Sequence, residues 1–307
     1  DYPGSTLRGA FGHALKALCC MTDRTDCQGC PQLTNCHYPV LFNPPAASAP
    51  STRYRDRPPP YIIEATDNRG TGSSYRFHMV LFGKAIDQLG LIVMAWQRAL
   101  AQGLGNRRIT GRIRRVVWLA PDGQESEVFD AGSPHILRHR PSLMPPSPSL
   151  CRKARLELLT PTRLQRKGRV VSASELCGAD ILRAVMRKAE LYLDNYLDDH
   201  VDQNPGCTIS SGHRHPSAPT PETEEAKEPA PSRWQRPLPP NDLKLHADTR
   251  RQHWERHSSR QQRRMSLDGQ VGTLTLEGTL DDWLPWLWLG QYTHLGKNTS
   301  FGLGHYH

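Results

Sequence analysis

The sequence contains no apolar run close to the roughly 18 to 20 residues that a helix needs to cross a bilayer, and no signal peptide is recognisable in it. Acidic residues are also scarce, with 30 Asp and Glu against 39 Lys and Arg, which gives a formal net charge of +9. These shortages argue against a membrane-spanning helix and predict a cytoplasmic protein whose partner is a polyanion. A basic protein without such a partner is the alternative that charge alone leaves open.

Two common nucleotide-binding motifs are missing from the glycine-rich segment HLGKNTSFGLGHY at residues 294–306. The segment lacks the G-x4-G-K-[ST] spacing of a P-loop, and no helix follows it, as a dinucleotide fingerprint would need. Its glycines still fit a main-chain cradle for a phosphodiester backbone, with Lys297 as the cation and His294 or Tyr292 as the proton-transfer group. The predicted main-chain contacts are Gly296, Asn298, Gly302 and Gly304.

At 307 residues the chain is long enough for about two domains of roughly 150 residues each. We place them at 1–148 and 149–307. Residues 204–240 are rich in Pro, Ser, Thr and Glu and have few large apolar side chains, so they predict a disordered insertion in the second domain. No internal repeat of fixed period is present.

Apolar periodicity predicts alternating helices and strands, an order typical of the α+β class. The first helix, at 5–20, has His13 on its polar face, opposite Leu7 and Phe11. We predict further helices at 84–103, 179–197 and 280–292, and strands at 60–65, 75–83, 108–120, 270–278 and 300–307, with the stretch 154–171 opening a second unit.

Five of the eight cysteines lie between residues 19 and 37. A disulfide scaffold would fit a short secreted protein, so crowding of this kind points to a metal. The spacing C-x6-C-x2-C-x5-C predicts a structural zinc ion held by a closed set of four thiolates. An iron–sulfur cluster, or reduced thiols without a metal, are the alternatives, and Cys19 could replace its neighbour as a ligand. The predicted ligands are Cys20, Cys27, Cys30 and Cys36.

Two arginine-rich stretches predict contacts with phosphate groups. The first is the predicted strand at 108–120, whose Arg112 and Arg114 face away from its apolar residues. The second is HWERHSSRQQRRM at 253–265, interpreted as a helix that presents arginines on one side. A solvated charge run is the alternative there. The residues predicted to contact phosphates in the second stretch are Ser258, Arg260, Arg263 and Arg264.

Four blocks taken in order resemble the CRISPR repeat-processing endoribonucleases of the RAMP superfamily, in the branch with a cysteine block after its first helix. They are GSTLRGAFGHAL, the cysteine block with YPVLF, WERHSSRQ, and LGQYTHLGKNTSFGLGHY. The resemblance implies two tandem ferredoxin-like domains, with the cysteine block as an insertion at 19–37, in the cytoplasm of a prokaryote. It also implies cleavage of precursor RNA within each repeat by attack of the 2′-hydroxyl, without a metal at the reacting phosphate.

The resemblance further implies that the protein stays bound to the 3′ hairpin of the CRISPR RNA within an effector complex with other subunits. It makes His294 and Lys297 the first candidates for catalysis, then His13 and Tyr292, with Arg8 as a further cation at the RNA. A non-catalytic RNA-binding subunit of the same fold is the main competing hypothesis. A zinc-containing DNA-binding regulator is a third, but the sequence shows no recognition helix for it.

Overall fold

We describe the protein from a computed structural model. Its described residues are 2–22, 24, 26–45, 57–66, 74–133, 135–137, 145–166, 168–196, 236–258 and 263–307. The predicted insertion at 204–240 lies outside them apart from its last five residues.

Among its described residues, the amino-terminal half contains three helices and two antiparallel β-hairpins. Strands β1 and β2 form the first hairpin, and β3 and β4 form the second. The elements are α1 (Pro3–Cys19), α2 (His37–Phe42), β1 (Tyr61–Ala65), β2 (Phe77–Leu81), α3 (Leu89–Gln102), β3 (Arg115–Leu119) and β4 (Glu125–Asp130).

Helix α1 follows the predicted amphipathic pattern. Pro3 lies in its first turn, where a missing N–H costs nothing. Phe11 is fully buried, and its ring lies 5.1 Å from that of Trp96 on α3 and 5.3 Å from that of Tyr61 on β1. His13 on the opposite face is exposed. The apolar stripe therefore ties helix, hairpin and α3 into one core and leaves the polar face to solvent.

In the part of the carboxyl-terminal half that the structure describes there are two helices and seven strands. They are β5 (Lys153–Thr162), β6 (Gln165–Arg166), β7 (Arg169–Val170), α4 (Gly178–Tyr196), β8 (Lys244–Gln252), β9 (Glu255–Ser258), β10 (Arg263–Ser266), β11 (Gly269–Glu277) and α5 (Leu284–Thr293). Pro285 lies in the first turn of α5, where its missing N–H costs nothing.

Strand β11 lies between β5 and β8 and is antiparallel to both. The last residues of the chain extend this sheet, because Tyr306 forms an antiparallel bridge to Leu158 and the N–H of His307 donates to the carbonyl of Glu157 at 3.0 Å. Helices α4 and α5 cover one face, and their apolar side chains form the largest buried cluster with those of the sheet. The mixed α and β class is confirmed, whereas the tandem ferredoxin-like arrangement and the cysteine insertion stay predictions.

The prediction of a helix over 253–265 was wrong. The described residues there form β9 and β10, which pair as an antiparallel hairpin with Arg263 opposite Ser258. Long polar side chains have only a weak intrinsic preference, and pairing between neighbouring segments overrides it. The strand predicted over 108–120 is also shorter, since regular pairing starts at Arg115.

The two halves meet at a seam formed by the chain end and the first residues. Tyr2 stacks on Trp254 at 4.5 Å, and both lie beside Phe301 and Leu303. A Cβ on Gly4 would lie 2.2 Å from the carbonyl oxygen of Phe301. This glycine therefore permits α1 to pack directly against the carboxyl-terminal segment. Among the described helices, none combines the length and the apolar character that a membrane crossing requires.

Candidate functional site

The glycine-rich tail, residues 294–307, turns sharply after α5 and is largely internal. Gly302 and Gly304 are buried and have φ angles of 91° and 72°. A Cβ would lie 2.6 Å from the carbonyl oxygen of Ile63 at the first position and 1.8 Å from that of Leu295 at the second. The glycines are thus explained by close packing of the tail on β1 and on itself. Their contact with RNA stays a prediction.

His294, the first residue after α5, is fully buried in the seam. Its Nε2 lies 2.9 Å from Oε1 of Glu64 on β1, and its Nδ1 lies 3.1 Å from the carbonyl oxygen of Leu303. Both partners accept hydrogen bonds, so each ring nitrogen of His294 faces an acceptor. His294 therefore pairs with Glu64 and joins the tail to the amino-terminal half. The His294 ring is thus enclosed by protein groups, and its role at the reacting phosphate stays a prediction.

Glu64 is a carboxylate shared by several histidines. Besides His294, it faces Nδ1 of His78 at 3.5 Å through Oε2 and Nε2 of His305 at 3.9 Å through Oε1. Burial by itself would raise the pKa of Glu64, but the hydrogen bonds from His294 and His78 outweigh it, and the pKa lies well below the ordinary value. Glu64 is therefore ionised at neutral pH.

The ring of His305 stacks on that of His294, with centroids 4.7 Å apart and planes within 1° of parallel. Burial, partly offset by Glu64, lowers the pKa of His305 to about 4, so this imidazole is neutral at neutral pH. The ligand atoms of Glu64, His294 and His305 all lie within 4.8 Å of one another. However, an imidazole lone pair lies in the ring plane, and one ion cannot lie in two separate parallel planes. The arrangement suits an ion pair better than a metal site.

Lys297 is exposed in the tail, while its neighbours Gly296 and Asn298 are half-buried. Lys188 on α4 lies close to it, and sequence analysis missed this residue because it falls within an ordinary amphipathic helix. Burial, and then the nearby Lys297 ammonium, lowers the pKa of Lys188 to about 8. Two cationic side chains thus lie close together beside the glycine-rich tail. An anion placed there would relieve their mutual repulsion.

Three further predicted residues have different surroundings. His13 is exposed on α1. Tyr292 on α5 is half-buried against Trp288, and burial, followed by the charge of Glu64, raises its pKa. Arg8 lies 4.3 Å above the ring of Phe42 and donates to the carbonyl of that residue at 3.4 Å. The guanidinium of Arg8 is therefore held by α2, and it is half-buried.

The two arginine-rich stretches have different local structures. Arg112 and Arg114 are exposed on the irregular segment before β3, and within the described residues no carboxylate pairs with them. Arg107 and Arg108 precede them in an exposed turn that sequence analysis did not single out. In the second stretch Ser258 lies on β9 and Arg263 and Arg264 lie on β10, whereas Arg260 lies outside the described residues.

The cysteine block, residues 19–36, follows α1 on the surface, and its five cysteines are half-buried free thiols. Cys27 and Cys30 form a tight turn, closed by a 3.2 Å bond from the N–H of Cys30 to the carbonyl of Cys27, with Gly29 at a φ of 68°. Burial, and then the neighbouring Cys36 and Cys20, raises the pKa of Cys19 to about 11.

The raised pKa means that burial and the neighbouring sulfur groups disfavour a negative charge on Cys19. A divalent cation would offset this repulsion between thiolates by binding them. The residue types and the turn fit zinc, although no three of the described sulfur atoms lie within 4.8 Å of one another. The hydroxyl of Thr22 lies between two of them, 3.8 Å from Cys20 and 3.7 Å from Cys30.

Two family models match the chain. Residues 1–142 match the AF_1859_N model, described as an N-terminal domain, and residues 156–306 match the model described as CRISPR-associated endoribonuclease Cas6. No curated protein matches the chain.

Solved structures are similar over nearly the whole chain. A Cas6 product complex is 14% identical, covers 99% of this chain and 92% of its own, and has a TM-score of 0.50. A Thermus thermophilus Cas6 is 14% identical, and the match covers 100% of this chain and 91% of that one, with a TM-score of 0.44. A Cas6-related gene product from Pyrococcus furiosus is 8% identical, and the match covers 100% of this chain and 90% of that one, with a TM-score of 0.39. The first of these similarities shows a shared fold.

Proposed function

Through residues 156–306 the chain belongs to the family of CRISPR-associated endoribonucleases called Cas6, and on this premise we propose that it cleaves CRISPR precursor RNA within the repeats. The match of that segment to the family model is the observation that carries the proposal. The net charge of +9 supports it, because a basic surface attracts a polyanionic substrate.

In the proposed reaction the 2′-hydroxyl attacks the adjacent phosphorus and the 5′-oxygen leaves, which produces a 2′,3′-cyclic phosphate. The step needs no metal at the phosphate, because protein cations and proton-transfer groups can supply what it requires. Lys297, exposed in the tail with Lys188 beside it, is the proposed cation for the non-bridging oxygens. We retain His13 and then Tyr292 as proton-transfer candidates and leave out His294, which is enclosed in the seam.

The RNA is proposed to bind through arginines that no described carboxylate neutralises, Arg112 and Arg114 first. Arg260, Arg263 and Arg264 are proposed to extend this surface, with Arg8 in a secondary role. The product hairpin would stay bound, and the protein would carry it into an effector complex with other subunits. Affinity built on such phosphate contacts falls steeply as salt concentration rises.

Two finer structural features accompany this function. We propose that both halves are ferredoxin-like units, for which the order β5, α4, β8, β11, α5 and the closing segment gives the best support. We also propose that Cys20, Cys27, Cys30 and Cys36 hold one structural zinc ion. A colourless protein with one zinc per chain is the expected result of metal analysis, and a brown sample containing iron would favour a cluster.

The proposed function is tested by incubating the protein with repeat RNA in EDTA at fixed salt. We expect one cut per repeat and a 2′,3′-cyclic phosphate end. The matched control is the same RNA with a 2′-deoxy sugar at the cut, which should bind equally and stay intact because it has no nucleophile. Tight binding of the normal RNA without cleavage would instead support the non-catalytic subunit, and equal affinity for unrelated RNA would contradict both.

A further inference from the structure

His78 lies on β2 directly opposite Glu64 on β1. Side chains alternate along a strand, so Phe77 and Met79 pack against the amino-terminal core while His78 lies beside Glu64 on the face turned toward the tail. The His78 side chain is 41% exposed, whereas that of Glu64 is 12% exposed. The pair is thus a buried carboxylate with an accessible imidazole at the edge of the seam.

The carboxylate holds His78 by one ring nitrogen only. Oε2 of Glu64 faces Nδ1 of His78 at 3.5 Å, while Oε1 is occupied by His294. Within the described part of the chain, no residue bonds Nε2 of His78. A carboxylate on Nδ1 fixes the orientation of an imidazole, which leaves Nε2–H to donate. His294 in turn keeps Glu64 in place.

The other histidines around Glu64 cannot take this role in the observed arrangement. His294 is fully buried, with both ring nitrogens engaged. The pKa of His305 is lowered to about 4, so near neutrality its ring is neutral and carries no imidazolium proton to donate. His13 is exposed on α1, but among described residues no carboxylate lies within ion-pair distance to orient it. His78 alone in this set combines access with an ionised carboxylate partner.

We propose that His78 is the general acid of the RNA cleavage and donates its Nε2 proton to the 5′-oxygen leaving group. The inference rests on the proposed function. As the bond from the 2′-oxygen to phosphorus forms, the bond from phosphorus to the 5′-oxygen breaks, and that oxygen receives the proton from His78. Water takes up the proton of the 2′-hydroxyl, and His78 regains its proton from water after the product alcohol leaves.

The test compares two substrates in single-turnover reactions with excess protein. One is normal repeat RNA, and the other carries sulfur in place of the 5′-bridging oxygen at the cut, because a thiolate leaves without being protonated. For His78→Ala we expect a loss of about 10² to 10⁴-fold on the normal RNA and of less than about tenfold on the sulfur RNA. The ratio of the two rates does not depend on the fraction of variant that is folded.

The matched control is His246→Ala, because His246 on β8 is also exposed and its Nε2 lies 3.7 Å from Oε2 of Glu277. Its two rates should match those of the unchanged protein. If His78→Ala lost the same factor in cleavage rate on both substrates, or cleaved both at the normal rate, the general-acid assignment would be overturned. Cleavage by the unchanged protein would still support the proposed function. An unchanged protein that binds but cuts neither RNA would overturn the function and the inference together.

Discussion

The glycine-rich tail and the cysteine block are both dense motifs, yet the structure uses them in opposite ways. In the tail a Cβ on Gly304 would lie 1.8 Å from the carbonyl oxygen of Leu295, so the backbone itself fills the space. In the cysteine block Gly29 also has a positive φ, but among the described residues no atom lies within 4 Å of its Cβ position. The tail is therefore part of the packed seam, whereas the block lies on the surface, and we propose that a bound zinc ion orders it.

The largest effect that would sharpen this comparison is expected for Gly304→Ala. The new Cβ would force the tail away from Leu295, and the residue would also keep a φ of 72° that alanine disfavours. We expect a loss of about 3 to 5 kcal/mol in the free energy of unfolding, as for other changes that disrupt a core. Urea unfolding followed by tryptophan fluorescence would measure it.

Gly29→Ala is the control, because it introduces the same methyl group at a similar φ in open space. Only the backbone preference is lost there, which costs about 1 kcal/mol. Equal losses for the two variants would break the comparison, since they would mean that the tail is no more tightly packed than the block.

A second prediction concerns the ion pair that anchors the tail. Glu64→Gln leaves the buried His294 without its carboxylate, and breaking a buried pair in this way costs about 3 kcal/mol or more. The matched control is Glu277→Gln, which removes the partner of Lys153 in an exposed pair at 2.9 Å and should cost less than about 1 kcal/mol. Thermal unfolding of both variants would decide the matter, and similar melting temperatures would show that the seam does not depend on Glu64.

The third prediction is a pH dependence that arises in the seam. The pKa of His305 is lowered to about 4 in the folded chain, while an unfolded histidine titrates near about 6.5. Between these values the unfolded chain binds the extra proton, so stability falls as pH falls from about 6.5 to about 4, by about 2 to 3 kcal/mol. Protonation of Glu64, whose pKa is also lowered, adds a loss in the same direction below about pH 4.

Urea unfolding at pH 7 and at pH 4.5 would measure this loss, with His305→Gln as the variant that lacks the titrating group. The variant should lose clearly less stability over that interval. An identical pH profile for both proteins would mean that His305 titrates normally, and that its stacking on His294 does not exclude water.

Local patterns gave the elements of this fold more reliably than the placement of its chemistry. The helix with Phe11 and Leu7 on one face and His13 on the other was predictable, because a period of 3.6 residues fixes which side is buried. The β9–β10 hairpin was not predictable, because its residues follow neither the helical nor the strand period of apolar side chains. Only pairing with a neighbouring segment decides their structure.

The functional site shows the same limit. A histidine within a glycine-rich segment looks like a catalytic residue, but only the packing of the tail on β1 reveals that His294 meets Glu64. His78 carried no signal in the sequence, since a single polar residue at an alternating position of a strand is ordinary. Its interest comes from a partner fourteen residues earlier, placed opposite it by the hairpin register.

The smallest global effect is expected at the cysteine block. If the block is ordered by its own zinc ion, Cys27→Ser should abolish metal binding and speed amide exchange in residues 20–36 by roughly tenfold or more, because local order is lost there first. The free energy of unfolding of the rest should change by less than about 1 kcal/mol. Cys177→Ser, at an exposed cysteine outside the block, is the control and should change neither quantity. A Cys27→Ser protein that unfolds as readily as Gly304→Ala would place the block in the core and remove the contrast with the tail.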